Sequence, residues 1–548
     1  MVCYANRNID GKAVNDVGER ELLDCTLRDG GYVNDWAFGH ERIVEIFNRL
    51  VSSGVEYIEI GFLDERRPFD INRTIFPDTQ SANKIYAGLD KGNATVLAMI
   101  DYGTCSIDHL QPAEDTIIDG IRVIFKEHLM YDALKFCAQV KALGYKVFAQ
   151  LVSVTTYTDE KLQVYAQECN KVHPYATSMV DTYGLLDPEH LMHIFHILDR
   201  HVDTDIKIGF HAHNNFQLGF ADARTFLACD SSRDLLADAT LYGMGKSAGN
   251  APLELVSMFC NEKLGKSYNI SQILEAIDNV ILGIYEKQYW GYNLLFYVSA
   301  ETKCHPNYVR YLMGKKTLSV RQITEILGQL APEKKLLYDA KYAERMYLDY
   351  QSIACDDKKA LSDLRKKFSG HDILLLGPGR NIHRQKSRVK DYIVQHRPIT
   401  IAVNYAPSDI KVDAIFLTNA RRYTQLANDL QSSVNQDADI IATSNVTKTE
   451  GDFQYVLRYE TLIDKETEII DNSLVMLLKA MIALGVKNVQ LAGFDGYSKT
   501  EDNYFDISRE YSFAKEKASY MNQYVKEFLV KEKNKIDVRF LTASHYEK

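Results

Sequence analysis

The first half of the chain alternates short apolar runs with longer amphipathic segments. Between about residues 21 and 245 there are eight apolar runs, at residues 22–27, 57–62, 95–101, 121–125, 147–154, 177–181, 206–213 and 238–242. The intervening segments repeat apolar residues at helical spacing, and one of them stops at Gly144, as a helix commonly does. Eight strands alternating with helices over this length predict a closed parallel (β/α)8 barrel of the α/β class. An open doubly wound sheet is the alternative, although such sheets more often have five or six strands.

Two further changes of pattern divide the rest of the chain. From about residue 270 the apolar residues follow a helical period without a clear strand. Strand–helix alternation restarts at residue 371, with apolar runs at residues 372–376, 399–404, 414–418, 440–443, 489–493 and 538–541. We therefore predict a TIM barrel at residues 20–268, a helical extension and linker at 269–365, and a doubly wound, Rossmann-like domain at 371–548.

Polar residues follow the apolar runs of the predicted barrel at their carboxyl ends. Arg28 and Asp29 come behind the first run, where a glycine pair at 30–31 is expected to let the backbone turn sharply. Taken alone, such a pair is more often a structural ion pair. However, His211 and His213 end the seventh run two residues apart, a spacing that puts both rings on one face of a strand. One carboxylate and two imidazoles form part of a shell for a divalent cation, at the rim where barrel active sites are built.

Two other acidic residues at this rim are catalytic candidates. Glu59 lies between two isoleucines on a short apolar run, so its side chain is expected to point inward, near Arg28. It is either a buried partner of that arginine or a catalytic group. Asp181 ends the sixth run and belongs to the same set of rim residues.

Composition and charge exclude several classes of protein. The net charge of −10 and the absence of a dense basic run argue against a nucleic-acid partner. No apolar stretch is long enough for membrane insertion, and residues 1–15 are polar and lack the apolar core of a secretory signal. The nine cysteines are dispersed without a Cys-x-x-Cys pair, which is typical of reduced thiols. We therefore expect a cytoplasmic protein.

The predicted second domain offers a weaker ligand signal. Its first apolar run enters the turn Gly377-Pro378-Gly379, which lacks the third glycine of a dinucleotide fingerprint and the Gly-Lys-Ser/Thr of a phosphate loop. Ligands of doubly wound sheets bind at the carboxyl ends of the strands. On that basis the cofactor-binding candidates are Gly377, Gly379, Asn404 and Asp495. A docking domain without chemistry of its own is the alternative.

Three motifs occur in order in the first half of the chain, each at a predicted strand end. They are Asp24-x-Thr26-Leu27-Arg28-Asp29-Gly30, His211-x-His213-Asn214-Asn215 and Gly243-x-Gly245-x-x-x-Gly249-Asn250-Ala251-Pro252-Leu253-Glu254. Together they resemble the metal-dependent pyruvate aldolase and lyase superfamily, which includes 4-hydroxy-2-oxovalerate aldolase and hydroxymethylglutaryl-CoA lyase. The resemblance covers about residues 20 to 265 and is greatest to the first of these two enzymes.

This resemblance implies a metal site and an enolate chemistry. It implies that Mn²⁺ or Mg²⁺ is bound by Asp29, His211 and His213, with Asn250 as an additional candidate ligand. It also implies that Arg28 stabilises the enolate oxygen and that Glu59 supports Arg28. Such a cation would act as a Lewis acid on a 2-oxo acid.

The acid/base residue departs from the family pattern. The 4-hydroxy-2-oxovalerate aldolases carry a histidine close behind Arg-Asp-Gly as the base, and Tyr32 occupies roughly that place here. Tyr32 would serve as the acid/base if its pKa were lowered by the metal or by Arg28. Alternatively it is a packing residue, and a metal-bound water or Tyr292 takes the proton. Tyr292 lies in an aromatic cluster that is itself typical of core packing.

The second domain carries a resemblance of low specificity. Its glycine turn, the strand end at Val403-Asn404 and the string Gly493-Phe494-Asp495-Gly496 are similar to Rossmann-like domains of the bacterial sialyltransferase and pterin diphosphokinase-like type. This implies a nucleotide or nucleotide-sugar ligand and a place in surface-glycan biosynthesis.

The sequence thus predicts a divalent-metal-dependent aldolase or lyase that acts through a pyruvate-type enolate. Its expected substrates are a small-molecule 2-oxo acid and an aldehyde, which the second domain suggests is sugar-derived; a homo-oligomer is compatible with the sequence. One alternative is an acyl-CoA Claisen-type condensing enzyme, although such synthases tend to have Glu-Gln where this chain has Gly31-Tyr32. Another is a glycosyl- or nucleotidyl-transferase in which the barrel is a scaffold. The aldehyde, the direction of reaction and the metal stay open.

Overall fold

The computed structural model describes residues 17–335, 337–352, 355–432, 434–446, 453–465, 467–506, 510 and 513–547. The chain divides into two compact units, Met1–Pro306 and Asn307–Lys548. This division falls inside the segment predicted as a helical extension. The polar segment at residues 1–15, predicted to lack a secretory signal, lies outside the described residues.

Parallel strands of the first unit close into a barrel. They are β1 (Arg20–Asp24), β2 (Tyr57–Leu63), β3 (Ile75–Phe76), β4 (Thr95–Asp101), β5 (Gly120–Phe125), β6 (Lys146–Val152), β7 (Ala176–Asp181), β8 (Lys207–Ala212) and β9 (Leu235–Ala239). The two-residue β3 is attached to β2 alone. The other eight pair in sequence, and β1 pairs with both β9 and β2, which closes the sheet. The predicted (β/α)8 barrel is confirmed.

Helices surround this barrel and bury one apolar face against it. In the helix His40–Ser53, for example, Ile43, Ile46, Phe47 and Leu50 follow helical spacing and are fully buried. The α-helices of the unit are Thr26–Asp29, Gly31–Asn34, His40–Ser53, Thr79–Tyr86, Met130–Ala142, Asp159–Val172, Pro188–His201, Gly219–Leu227, Leu253–Lys263, Ile270–Ala276, Leu282–Tyr285 and Leu294–Glu301, with a π-helical turn at Ile277–Ile281. Short 3₁₀ turns lie at Ile107–His109, Ala113–Asp115, Glu127–Leu129, Val154–Thr156 and Leu241–Gly243.

The chain after β1 differs from its prediction. The first apolar run was expected to be one strand to residue 27, but β1 ends at Asp24 and Thr26–Asp29 form a helical turn. The Asp24 carboxylate accepts hydrogen bonds from the backbone and hydroxyl of Thr26, at 2.9 and 2.7 Å, which turns the chain out of the strand. Gly30 has an ordinary helical φ of −57°. The glycine at 31 is needed for close approach, because a Cβ there would lie 2.0 Å from the Trp36 ring.

The inward-facing side chains form layers. Nearest the amino ends of the strands the layer is apolar and contains Leu23, Tyr57, Leu97, Phe148, Ala176 and Leu236. Because side chains alternate along a strand, the residues two positions further on also face inward. There the barrel carries buried polar residues: Glu59, Arg122, Gln150, Ser178 and Asp238. The carboxyl-terminal rim therefore stands on a buried polar layer.

The second unit contains the second parallel sheet that the sequence predicted. Its strands are β10 (Ile373–Leu376), β11 (Ile399–Val403), β12 (Ala414–Leu417), β13 (Asp439–Thr443), β14 (Tyr455–Leu457), β15 (Asn488–Ala492) and β16 (Asp537–Phe540). Their order across the sheet is β14-β13-β12-β11-β10-β15-β16. The short β14 was missed in the sequence.

Helices precede this sheet and connect its strands. They are Pro306–Gly314, Val320–Gly328, Pro332–Lys335, Ala340–Gln351, Lys358–Phe368, Asn381–Arg384, Lys386–His396, Ala420–Ser432, Tyr459–Leu462, Ser473–Leu484, Phe513–Glu516 and Ala518–Glu532. Within the described ranges, no helix of either unit has the length and apolar character needed to cross a bilayer.

Arg20 ties the amino end of β1 to the loop that leads into β9. Its guanidinium is 5% exposed and donates to the carbonyl oxygens of Leu227, Cys229, Ser231 and Arg233 at 2.9–3.0 Å. β1 and β9 are neighbours in the closed sheet, so these bonds stabilise the closure.

We expect Arg20→Met to lower the free energy of unfolding by about 2–4 kcal/mol, because buried carbonyls lose their donors while the aliphatic stem is largely kept. Urea denaturation followed by circular dichroism measures the change. The exposed Arg42 provides a matched control, and Arg42→Met should cost less than about 0.5 kcal/mol. Equal losses in the two variants would contradict the role assigned to Arg20.

Candidate metal centre at the barrel rim

Asp29, His211 and His213 meet at the carboxyl end of the barrel. Their potential ligand atoms lie within 4.8 Å of one another, and the three residues are 1%, 2% and 5% exposed. Asp29 ends the helical turn after β1, His211 lies on β8, and His213 directly follows β8. The two imidazoles lie on one side of the chain, with ring centroids 4.9 Å apart. The structure thus brings together the three residues that the sequence had placed in one site.

Two atoms of this cluster are buried without a partner. Nε2 of His213 and Oδ1 of Asn250 make no hydrogen bond among the described residues. Nδ1 of His213 bonds the carbonyl oxygen of Asp181 at 2.9 Å, so Nε2 carries the lone pair and lies 3.8 Å from Asp29 Oδ2. Asn250 donates its amide nitrogen to the same Asp29 oxygen at 2.7 Å. Buried acceptors without a donor are costly, and a cation among them would satisfy both.

The protonation states of the cluster suit a cation. Burial lowers the pKa of His213 to about 3, so its imidazole is neutral at neutral pH. Burial alone would raise the pKa of Asp29, but the adjacent Arg28 guanidinium and the two histidines hold it below its ordinary value. Metal ligands must be deprotonated, and both groups meet that condition.

The loop after β9 is shaped around the cluster. A Cβ at Gly245 would lie 2.6 Å from Asp29 Oδ2 and 2.3 Å from the amide nitrogen of Asn250. The next residue, Lys246, donates its backbone N–H to Asp29 Oδ2 at 3.1 Å. Only glycine therefore fits at position 245, because any side chain would fill the space between the ligand residues.

A buried chain of charges supports the cluster from below. Nδ1 of His211 contacts Asp238 Oδ2 at 2.8 Å. Arg122 donates to that same Asp238 oxygen and, at 3.2 Å, to Glu59 Oε2. Glu59 Oε2 also accepts from Nε of Arg28 at 2.7 Å. Metal-binding imidazoles commonly have their other ring nitrogen hydrogen-bonded to a carboxylate in this way.

The charges in this network do not balance without a cation. Two guanidinium groups, Arg28 and Arg122, face three carboxylates, those of Asp29, Glu59 and Asp238. The network therefore carries one net negative charge, all of it buried. A bound divalent cation would change the net charge of the network from one negative to one positive, whereas a bound anion alone would make the net charge more negative.

A second group of potential ligands overlaps the first. Cys25, His211 and Asp238 also have ligand atoms within 4.8 Å of one another. Burial raises the pKa of the Cys25 thiol well above its ordinary value, so this sulfur stays protonated. Asp238 is already engaged by Arg122 and His211. The Asp29 set fits a metal better than the Cys25 set.

Arg28 lies beside the cluster in a fixed orientation. Nη1 donates to Asp29 and Nε to Glu59, and the guanidinium carbon lies 5.7 Å from the centroid of the Phe62 ring. The remaining nitrogen, Nη2, makes no hydrogen bond within the part of the chain that the structure describes. It is available to an oxygen of a bound ligand.

Tyr32 lies near this arginine, and its surroundings favour the protonated hydroxyl over the phenolate that a base requires. Its ring packs edge-on against Trp36 and Phe62, with centroid distances of 4.9 and 6.0 Å, and it is 43% exposed. Loss of solvent around the hydroxyl, together with the nearby Asp29 carboxylate, raises the pKa of Tyr32 above its ordinary value. The lowered pKa that would make Tyr32 a base is not produced by the protein alone.

Asp181 and Tyr292 have other contacts than those expected of catalytic groups. The Asp181 carboxylate accepts the backbone N–H groups of Leu185 and Leu186, both at 2.9 Å, and burial raises its pKa to about 6. Tyr292 is 52% exposed, and among the described residues no hydrogen bond or ring contact joins it to the cluster. Asp181 orients His213 through its carbonyl; a catalytic role for either side chain stays a prediction.

Sequence reasoning missed Arg122 and Asp238. Both are charged residues inside apolar strands, β5 and β9, and a charge within an apolar run is the signal that identified Glu59. Asp238 was overlooked because the last run was predicted to begin there, whereas β9 spans Leu235–Ala239 and carries Asp238 in its interior. Arg122 lies at the second position inside the predicted fourth run and was read as part of it.

Three of the four cofactor-binding candidates in the second unit line one cavity. These are Gly379, Asn404 and Asp495, at the ends of β10, β11 and β15. Gly377 does not line this cavity, and a Cβ at Gly377 would lie 2.5 Å from the carbonyl oxygen of Gly493. Gly377 thus serves the packing of two loops.

The first unit is thus a closed (β/α)8 barrel with an acid–histidine cluster at its carboxyl end. Residues 19–280, just under half of the chain, match the family model described as HMGL-like. The match covers the barrel, and over these residues the chain is similar to the HMGL-like family.

Curated relatives match about half of the chain. The 4-hydroxy-2-oxovalerate aldolase 3 of Cupriavidus necator is 24% identical over 274 residues, which cover 48% of this chain and 76% of the relative. The oxaloacetate decarboxylase of Mycobacterium tuberculosis is 26% identical over 270 residues, with the same two coverages. Both names denote lyases, and the family match supports a lyase.

Solved structures also align with part of this chain. The N-terminal domain of a putative aldolase from Bacteroides vulgatus is 21% identical, with a TM-score of 0.45, and the alignment covers 54% of this chain and 96% of that one.

We expect Asp238→Asn to weaken Mn²⁺ binding by about 10–100-fold, because His211 loses its charged partner. Electron paramagnetic resonance of free Mn²⁺ during titration measures the affinity. The matched control is Asp222→Asn, which replaces another buried carboxyl, one whose pKa burial raises to about 7. If both variants bind Mn²⁺ as the native protein does, Asp238 does not support the site.

Proposed function

We propose that the barrel forms or cleaves a carbon–carbon bond next to a 2-oxo acid, with pyruvate as the enolate component and an aldehyde as the second substrate. The proposal includes a divalent cation, Mn²⁺ or Mg²⁺. The observation that carries it is the buried set of Asp29, His211 and His213, with its unpartnered imidazole nitrogen, beside the Arg28 guanidinium. The names of the curated aldolase and decarboxylase relatives support the same chemistry.

Asp29, His211 and His213 would hold the cation, with the amide oxygen of Asn250 as a further ligand. When bound, the cation supplies Lewis acidity toward the carboxylate and keto oxygens of a 2-oxo acid. The protein keeps the ligand atoms close together and buried, so that little water competes for them.

Arg28 stabilises the negative charge that develops on the keto oxygen during enolisation. Its plane is fixed by hydrogen bonds to Glu59 and Asp29, which leaves Nη2 for a substrate oxygen. Removal of one fixed donor of this kind commonly costs a factor of about 10²–10³ in rate. Glu59 is a positioning residue in this account, because it acts through Arg28.

Tyr32 stays protonated at neutral pH because its pKa is raised. We assign it the role of a hydrogen-bond donor to the aldehyde oxygen, which gains negative charge as the carbon–carbon bond forms. A hydroxyl that stays protonated until the carbon–carbon bond forms is suited to act as the general acid toward the aldehyde oxygen. The group that removes the methyl proton of pyruvate is then a different one, a water or Tyr292.

The aldehyde in this proposal is sugar-derived, with a place in surface-glycan biosynthesis. The rim around the cluster is polar: the Lys246 ammonium lies 5.4 Å from the Tyr32 ring centroid. Burial lowers the pKa of Lys246, and the Asp29 and Asp101 carboxylates oppose that effect in part. Charged and hydroxyl groups of this kind suit an acceptor that bears hydroxyls better than an apolar one.

Decarboxylation of oxaloacetate is a second candidate. It is favoured by the 26% identical decarboxylase of Mycobacterium tuberculosis. Loss of carbon dioxide from oxaloacetate leaves the enolate of pyruvate, so the same cation ligands and the same Arg28 contact would serve.

Exchange of the pyruvate methyl protons in D₂O, followed by proton NMR, tests enolate formation without an aldehyde. We expect Mn²⁺-loaded protein to exchange these protons and His211→Ala to lose at least about a hundredfold in rate, because a cation ligand is removed. The exposed His190 offers the matched control, and His190→Ala should exchange as the native protein does.

Exchange retained in His211→Ala, or absent from fully metallated native protein, would contradict the proposal. Adding oxaloacetate to the same samples separates the two candidates. Rapid metal-dependent conversion to pyruvate favours the decarboxylase, and stable oxaloacetate with active exchange favours the aldolase.

A further inference from the structure

The sheet of the second unit has a cavity at its carboxyl edge. The chain proceeds from β10 through β11, β12, β13 and β14 to one side, and β15 and β16 lie on the other side of β10. Open parallel sheets bind ligands outside the carboxyl ends of their strands, at the point where the strand order reverses. The cavity is lined there by Gly379 after β10, Asn404 after β11, Asn419 after β12 and Asp495 after β15.

Asn404 holds this edge in a defined shape. Its backbone has a φ of +59°, a left-handed conformation that is uncommon for a residue with a side chain. Its amide nitrogen donates to the hydroxyls of Thr418 and Ser473 at 2.9 and 2.7 Å, and its amide oxygen accepts from the backbone of Thr418 at 3.0 Å. Such bonds lock the ends of β11 and β12 to the start of the helix Ser473–Leu484. Backbone strain that is held in this way is common at binding sites.

One side of the cavity is positive. The twelve-residue helix Ser473–Leu484 begins at its wall, and the first residues of the helix, Ser473 and Leu474, line it. The side chain of Asn472 caps the N–H of Val475, and the N–H groups of residues 473 and 474 make no hydrogen bond within the described ranges. Free N–H groups and the helix dipole attract anions.

Two basic side chains add to that wall. The Lys315 ammonium lies over the rings of Tyr311 and Tyr347, 4.7 and 4.8 Å from their centroids. Among the described residues it makes no ion pair within 4 Å, although the carboxyls of Glu344 and of Asp471, which also lines the cavity, are close enough to oppose the lowering of its pKa by burial. Arg422 lines the same cavity and is only 5% exposed. Two cations beside a helix amino end form a site for a phosphate group.

The other side of the cavity accepts hydrogen bonds. Oδ2 of Asp495 accepts from the backbone of Asn381 at 2.8 Å, while Oδ1 is buried and without a partner among the described residues. A buried carboxylate oxygen of this kind requires a donor, and a hydroxyl group of a ligand provides one. The rings of Phe494, Tyr497 and Tyr504 complete this side of the lining.

We propose that this cavity is a binding site for a nucleoside diphosphate, free or as part of a nucleotide sugar. The phosphates lie against the start of the helix Ser473–Leu484, Lys315 and Arg422, and a ribose or sugar hydroxyl donates to Asp495. The aromatic rings of the lining provide the surface for the base or sugar. This site is independent of the enolate chemistry proposed for the barrel.

Isothermal titration of the full-length protein tests the site with UDP, CDP, ADP and GDP as probes. Two control ligands separate the parts of these probes: inorganic pyrophosphate has only the phosphate groups, and the matching nucleosides have only the base and the ribose hydroxyls. We expect at least one nucleoside diphosphate to bind about tenfold or more tightly than pyrophosphate and than its nucleoside, because it engages both sides of the cavity.

Two substitutions separate the two sides. Lys315→Met should weaken the binding of that diphosphate about tenfold and leave its nucleoside unchanged. Asp495→Asn should weaken the diphosphate and leave pyrophosphate unchanged. The matched control is Lys487→Met, at an exposed lysine just before the amino end of β15. Pyruvate proton exchange, which belongs to the barrel, should not change in any of the three variants.

Three outcomes would overturn the proposal. The first is that no nucleoside diphosphate binds at about 1 mM. The second is that pyrophosphate binds as tightly as every diphosphate, which would leave an anion site only. The third is that Lys315→Met and Lys487→Met behave alike while Asp495→Asn has no effect. Loss of proton exchange in the native protein would bear on the barrel proposal and not on this one.

Discussion

The buried charge network under the barrel rim is the constraint on which the site depends. Arg122 is completely buried and joins Glu59 to Asp238, and through these two carboxylates it fixes Arg28 on one side and His211 on the other. A buried charge is tolerated only when it is paired and hydrogen-bonded. The barrel meets that requirement with alternating signs, and in doing so it fixes Arg28 and His211 at the rim.

The layered interior explains how the strands provide this network. An apolar layer that includes Leu23, Tyr57 and Leu236 closes the amino-terminal half of the barrel. Two residues further along, Glu59 and Asp238 face inward by strand alternation alone. The cluster of Asp29, His211 and His213 then lies where the strands end. The network carries one negative charge in excess, so the packing of the barrel itself would favour a divalent cation at this position.

Much of the barrel could be predicted from the sequence because its signal is local. Eight apolar runs, each followed by polar residues, define strands and rim without knowledge of tertiary contacts. The spacing of His211 and His213 likewise places both rings on one face. Arg122 and Asp238 could not be paired with each other in the same way, since they are 116 residues apart and meet only when the sheet closes. The role of the glycine at 31 depended on a ring five positions away, Trp36, whose path is set by tertiary packing.

Tyr32 and Tyr292 were identified from the sequence, but the surroundings of their side chains could not be predicted from it. The position of Tyr32 behind Arg-Asp-Gly suggested it as the acid/base residue. The pKa of its hydroxyl, however, depends on burial and on the Asp29 carboxylate, and neither can be read from the sequence. Tyr292 belongs to an aromatic cluster that the sequence identified, but more than half of its side chain is exposed. In the second unit the strand ends were predictable, whereas Lys315, which comes from a preceding helical segment, was not.

Anomalous diffraction from crystals loaded with Mn²⁺ tests the central claim most directly. The account predicts a strong anomalous peak within bonding distance of a carboxylate oxygen of Asp29 and of one ring nitrogen each of His211 and His213. A peak at Cys25, His211 and Asp238 instead, or metallated crystals with no peak inside the barrel, would contradict it.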